Sequence, residues 1–230
     1  MAHAATTVIE TGALLIGPYT VEFAFGSSSR LDEYRLRYRL FVEEHHWLNG
    51  DEESIEHDEY DVASCAFLLR DRRSGQPAAC QRLILPDHLP AGLCTNVERF
   101  TPGFTRECGN LPSSSWAEVS RTSVAREFRF GARTAELPAM KAIKYASIAL
   151  AVAFERHALF SCSDQRTARL IRRLGFDMHQ IGLPFDFHGE RVSYRIDMTE
   201  VRHSVPSEMC GPLDELIDAA VAFRKKAETH

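Results

Sequence analysis

The sequence has little of what marks several functional classes. Its six cysteines, at 65, 80, 94, 108, 162 and 210, include no C-x-x-C pair, so their spacing gives no support to a zinc site. They read as free thiols in a reducing cytosol. There is no long Lys/Arg block, and 27 basic residues face 32 acidic ones for a net charge of −5. Nucleic acid is therefore excluded as a partner. Met1 to Thr11 has neither a basic start nor a sustained apolar run, so no signal peptide is indicated. The longest apolar run is broken by Lys141, Lys144 and Glu155, too polar to span a membrane. No internal repeat or low-complexity segment stands out.

What remains is an ordinary globular composition, 44% apolar and 26% charged over 230 residues. That length suits one large domain with small appendages and a core of useful size. Residues 1–17 read as a loosely held leader, 18–200 as the domain, and 201–230 as a C-terminal helical extension. Alternation over Tyr19 to Phe25 predicts a strand. Ser29 is placed to cap a helix from about Leu31 to His46, with Asp32 and Glu33 in its first turn. An acid-rich loop follows over Asn49 to Asp61, with Trp47, Ile55 and Tyr60 interleaved, the mark of a folded loop. Ala63 to Arg70 and Pro77 to Leu85 read as a hairpin around Asp71 to Gln76. Pro86 to Pro112 is a long loop that carries a short helix near Val97 to Phe100.

A strand is predicted over Ser115 to Val124, a helix over Leu137 to His157 and a strand over Leu159 to Cys162. A helix over Gln165 to Leu174 stops at Gly175. Strands at Asp177 to Gly182 and Arg191 to Met198 and a helix at Leu213 to Lys226 complete the chain. Helices flanking a mixed sheet are the expected packing, an α/β fold. The organising stretch is Trp116 to Val124. It carries Glu118 and Arg121 three residues apart and runs into the arginine-bearing turn Arg126 to Arg133. Arginines and a glycine before a helix suit an anionic group at the helix start. The small residues Ala139, Ala142, Ala146, Ser147, Ala149 and Ala151 favour either close packing or a narrow channel.

This order and these residues resemble the GNAT acyltransferase superfamily, with its mixed twisted sheet flanked by helices. Arg37, Phe41 and Trp47 fit the arginine–phenylalanine–tryptophan series of the autoinducer (acyl-homoserine-lactone) synthases. Asp58 and Asp61 match their D-x-x-D, Arg82 the arginine of the next strand pair, and Glu118 with Arg121 their E-x-x-R. Leu174-Gly175-Phe176 is similar to the end of the penultimate GNAT helix. His188 to Arg191 resembles the acyltransferase family associated with PEP-CTERM/exosortase systems. The likeness spans roughly residues 19 to 198 and includes the bacterial N-acyl amino acid synthases. Two departures stand out. The phosphate loop is only approximate at Arg129 to Arg133, which favours acyl carrier protein over coenzyme A as donor. The position of the usual GNAT tyrosine acid is Ile171.

The resemblance implies acyl transfer from a thioester to an amine, in which the amine loses a proton and an oxyanion needs donors. It implies a central strand that splays from its neighbour. Glu118 is then the base and Arg121 its catalytic companion; the plainer reading is an ion pair between them that braces the sheet. Arg37, Phe41, Trp47, Asp58, Asp61 and Arg82 are acceptor-site candidates; alternatively, the charged four form a network that holds an N-terminal lid, and Phe41 and Trp47 are core. Ser123, Val124, Arg126, Arg129 and Arg133 are donor-site candidates, against a solvated basic turn for the arginines. His45, His46 and His188 are lone histidines, and no metal is expected. The expected partners are acyl carrier protein and a small amine. No cofactor is held permanently, the location is cytoplasmic, and membrane contact comes through the product alone. Three functions fit: an N-acyl amino acid synthase, a homoserine-lactone synthase using S-adenosylmethionine, and a catalytically silent carrier-binding module.

Overall fold

A computed structural model describes residues 13–24, 27–50, 52–108, 111–129 and 139–228. The strands are β1 (Ala13–Ile16), β2 (Tyr19–Phe23), β3 (Ser64–Asp71), β4 (Pro77–Ile84), β5 (Trp116–Val124), β6 (Ala158–Ser163), β7 (His179–Asp186) and β8 (Glu190–Asp197). The helices are α1 (Ser27–Arg37), α2 (Asn96–Phe100), α3 (Phe104–Cys108), α4 (Arg126–Arg129), α5 (Ala139–Ala153), α6 (Gln165–Arg173), α7 (Met198–Ser204) and α8 (Ser207–Glu228). The strands form one mixed eight-stranded sheet in the order β1-β2-β3-β4-β5-β6-β8-β7. Every pairing is antiparallel except β5 with β6. That parallel pair requires a crossover, which α5 supplies.

Alternation along β4 assigns the two layers. Ala79 and Leu83 join a core with α5 and α8, whereas Cys80 packs with Leu36, Leu40 and Phe41 on the α1 side. Leu213, Leu216, Ala220 and Phe223 of α8 are buried in the first core, so the C-terminal helix is a layer of the domain. The small residues of α5 are buried in the same core. Of that helix only Lys144 lines the cavity described below, so close packing is what its alanines serve.

Several boundaries differ from the sequence expectation. β1 falls inside residues 1–17 and pairs with β2; residues 1–12 lie outside the described part. Helix α1 begins at Ser27 rather than after Ser29. Asp32 and Glu33 therefore sit beyond its first turn, where they meet Arg70 and Arg37 instead of the helix dipole. Past Arg37 the helix widens to a π-helical stretch, Tyr38–Glu44, and ends at His45 and His46, the latter with φ +53°. The C-terminal helix starts at Ser207 rather than Leu213 and contains Pro212. Thr95 caps α2 through a capping box with Glu98.

Two features of β5 position the site. It pairs with β6 only from Trp116 to Val119, so among the described residues Ser120 to Val124 has no strand partner on that side and the two strands part. On its other side, one residue of β4, Gln81, lies opposite two of β5, Arg121 and Thr122. Such a bulge re-aims side chains. Arg121 takes it with φ +51°.

Candidate active site

Arg37 lies on the buried stripe of α1, completely covered. A buried guanidinium must be paired. Its Nη1 and Nη2 donate to Asp61 at 2.7 and 3.2 Å, its Nε donates to Glu56, and Glu33 one turn earlier lies at 3.4 Å. Arg82, also fully buried, donates to Asp58 at 2.5 and 2.7 Å, to Asp61 at 2.8 Å and to Ser120 Oγ at 2.8 Å. Arg121 closes the circuit, with Nη2 2.8 Å from both Glu56 and Asp58. Its guanidinium lies 5.6 Å from the ring centre of Phe41.

The electrostatics follow from this geometry. Burial pushes the Glu56 carboxyl up, but the hydrogen bond from Arg121 and the charge and hydrogen bond of Arg37 outweigh it and hold it at about 2. Asp61 is driven well below the carboxylate range: burial opposes this, and the charges of Arg37 and Arg82 overcome it. Glu33 behaves oppositely. Burial raises it to about 7 against the charge of Arg37. Its Oε1 has no hydrogen-bond partner among the described residues.

Glu118 is buried at the base of this circuit but outside it. Its Oε2 accepts from the Val97 N–H at 2.8 Å and its Oε1 from Asn96 Nδ2 at 2.9 Å, which ties β5 to the start of α2. Burial raises its pKa, opposed by the hydrogen bonds from Val97 and Asn96. The ion pair between Glu118 and Arg121, the plainer reading of the sequence, is not formed. Three strand residues span about 10 Å, and Arg121 is taken by Glu56 and Asp58.

The parting of β5 from β6 opens a cavity of about 670 Å³. Phe41, Trp47, Asp58, Glu118 and Arg121 line it, and Arg37, Asp61 and Arg82 stand behind that wall. Trp47 is not core. It is 38% exposed and stacks between His45 and His188, 4.6 and 5.9 Å away, with Arg191 at 5.1 Å. Thr122, Lys144, Ser161, Cys162, Asp164 and Ile171 also line the cavity.

The donor-site expectation is only partly met. Ser123 and Val124 are buried on β5 but do not line the cavity. Arg129 turns back to Val124 O at 2.7 Å and to Glu44 at 3.0 Å. Arg126 is exposed on α4. Arg133 lies outside the described residues. Among the described residues, Asp177, His179 and Glu200 are close enough to share an ion; all three are exposed and none lines the cavity.

Sequence reading missed Glu33, Glu56, Asn96 and Lys144. Glu33 stands four residues before Arg37, the spacing of a helical ion pair. Lys144 is a cation on the buried part of a mostly apolar helix, three residues after the half-buried Lys141. Glu56 carried no signal among its acidic neighbours, because partner choice there depends on loop conformation.

Residues 36–138 match the acetyltransferase (GNAT) domain model. An acyl-homoserine-lactone synthase of Acinetobacter nosocomialis is 27% identical over 179 residues, 76% of this chain and 93% of that protein. Among solved structures, the AHL synthase LasI superposes with a TM-score of 0.63 at 16% identity, over 83% of this chain and 98% of its own. FeeM, an N-acyl amino acid synthase from uncultured soil microbes, gives 0.59 at 14% identity, over 82% and 95%. The expected GNAT fold is thus the fold observed. The chain carries a GNAT-type acyltransferase domain and is homologous to the acyl-homoserine-lactone synthases.

Proposed function

We propose that the protein transfers a fatty-acyl group from a thioester, carried by acyl carrier protein, to the amine of an amino acid. The observation that carries this reading is a single cavity spanning the gap between β5 and β6, with a charged wall on one side and Glu118 at its base. The acceptor amine lies against the Arg121–Glu56–Asp58 wall, held in shape from behind by Arg37, Asp61 and Arg82. Phe41 and Trp47 form its apolar rim. Glu118 takes the amine proton, directly or through a water. Burial raises its pKa, which brings a carboxylate closer to the range of a useful base. The unpartnered edge of β5 from Ser120 to Val124 receives the donor arm and supplies N–H groups to the oxyanion. Arg126, exposed on α4, and its neighbour Arg129 are the basic residues that meet an acidic carrier, with Arg133 assigned to the same role from the sequence alone.

The second reading, a homoserine-lactone synthase using S-adenosylmethionine, draws on the Acinetobacter relative. Both acceptors carry an amine and a carboxylate, so one charged wall suits either. The purified protein is offered acyl carrier protein thioester or acyl-coenzyme A, with an amino acid mixture or with S-adenosylmethionine. Mass spectrometry of the products decides. An N-acyl amino acid supports the first reading, and an acylated lactone obtained only with S-adenosylmethionine replaces it with the second. Carrier binding without acylation of either amine overturns both.

A further inference from the structure

Acyl transfer from a thioester ends with a thiolate that must be protonated or otherwise stabilised as it leaves. Building on the function proposed above, we propose that Lys144 is the catalytic acid that gives this proton to the leaving sulfur. The side chain projects from α5 into the gap where β5 leaves β6 and lines the cavity there. It is 5% exposed. Its Nζ donates to Gln81 Oε1 at 3.3 Å. The same oxygen accepts from Thr122 Oγ1 at 3.1 Å, on the stretch of β5 that has no partner on β6. The ammonium is thus fixed beside the free strand edge. Gln81 is itself held, through Nε2, by Ser147 of the next helical turn.

Two further observations assign this role to Lys144. First, it is a buried cation whose partner among the described residues is an amide and not a carboxylate. An ammonium carries three donors, and a burial this poorly compensated is costly unless the site uses it. Burial alone lowers its pKa, to about 8, close to the thiol range of about 8.5. Secondly, Cys162, Asp164 and Ile171, which line the cavity together with Lys144, do not compete as the acid. Ile171 has no proton to give. Burial pushes the Cys162 thiol up to about 12. Asp164 is held ionised below the usual carboxylate range: burial opposes this, but hydrogen bonds from Thr167 and Arg166 outweigh it.

The step balances. The neutral amine attacks the thioester carbonyl, the C–N bond forms, and the nitrogen gives its surplus proton to Glu118. The C–S bond then breaks, and the sulfur takes its electron pair and a proton from the Lys144 ammonium. Once the carrier thiol departs, Glu118 releases its proton to solvent and Lys144 takes one up, so both groups return to their starting states.

The test compares leaving groups. The same acyl chain is presented as an alkyl thioester of pantetheine and as an aryl thioester, whose thiolate leaves without an acid. Lys144→Met is expected to lose about 10²–10⁴-fold in kcat on the alkyl donor and to stay within a few-fold of wild type on the aryl donor. Lys144→Gln, which keeps a donor for Gln81, gives the same pattern and covers a folding defect in the first variant. Equal losses on both donors, or no loss on the alkyl donor, overturn the role of Lys144 while leaving acyl transfer intact. A wild type inactive on both donors overturns the acyl-transfer reading and Lys144 with it.

Discussion

The substitution Glu56→Gln tests the arginine–carboxylate circuit most directly. Glu56 joins two guanidiniums, accepting from Arg37 and from Arg121 at 2.8 Å. Its carboxyl falls from an ordinary 4.5 to about 2 in the folded protein. At about 1.4 kcal/mol for each pH unit between the two values, the ionised form contributes about 3 kcal/mol to stability. The folded pKa is depressed, so this contribution is present above about 4.5 and is lost as the pH falls through about 2. Breaking one member of a buried ion cluster costs about 3–5 kcal/mol, which agrees in size. Part of the loss is returned, because Glu33, at about 7 in the native protein, gives up its proton when a neighbouring negative charge disappears. The expected destabilisation at pH 7 is therefore about 2–3 kcal/mol. Urea unfolding of wild type and variant at a series of pH values from 7 to 3 measures it. The variant should be weaker at neutral pH and lose less on acidification. Identical pH slopes for the two proteins, or a neutral-pH difference below about 0.5 kcal/mol, would refute the reasoning.

Glu33 should behave in the opposite sense. Its folded pKa is raised from 4.5 to about 7, so its contribution is present below about 4.5 and disappears as the pH rises through about 7. Glu33→Gln should therefore be more stable than wild type at pH 8, and thermal melts at pH 5 and 8 check this. Glu118→Gln should cut kcat by about 10²–10⁴-fold while circular dichroism stays native, since the amide keeps an acceptor for Val97 or Asn96; near-normal turnover would remove it as the base. Charge reversal at Arg126 and Arg129 should raise KM for a carrier-protein donor and leave KM for a pantetheine thioester unchanged. Equal effects on the two donors would make that turn a local structural feature.

Much of the fold was legible because its signals are local. The hairpin of β3 and β4, the capped α6 and the apolar α5 follow from alternation, turn residues and periodicity, each set by neighbours in the chain. The charged residues Arg37, Asp58, Asp61 and Arg82 were legible as a group, because arginines and carboxylates that are buried together must pair. For Trp47 the sequence left an acceptor-site position and a core position open: its place depends on where the helix ends at His45 and on the approach of His188 from the β7–β8 hairpin. Local pattern contains neither.

The stretch from Trp116 to Val124 divides the two kinds of information most clearly. The sequence by itself determined that it is a buried strand, that it bears Glu118 and Arg121, and that an acyl-transfer chemistry suits those residues. Only the tertiary structure decided which partner each takes. A bulge opposite Gln81 turns Arg121 toward Glu56 and Asp58, while Glu118 reaches the first turn of α2. Tertiary structure also decided that β6 leaves β5 after Val119 and that Lys144 faces the resulting gap. The reason is that a strand's hydrogen bonds and a buried charge's partners are supplied by segments tens of residues away, and their register is fixed only when the layers pack.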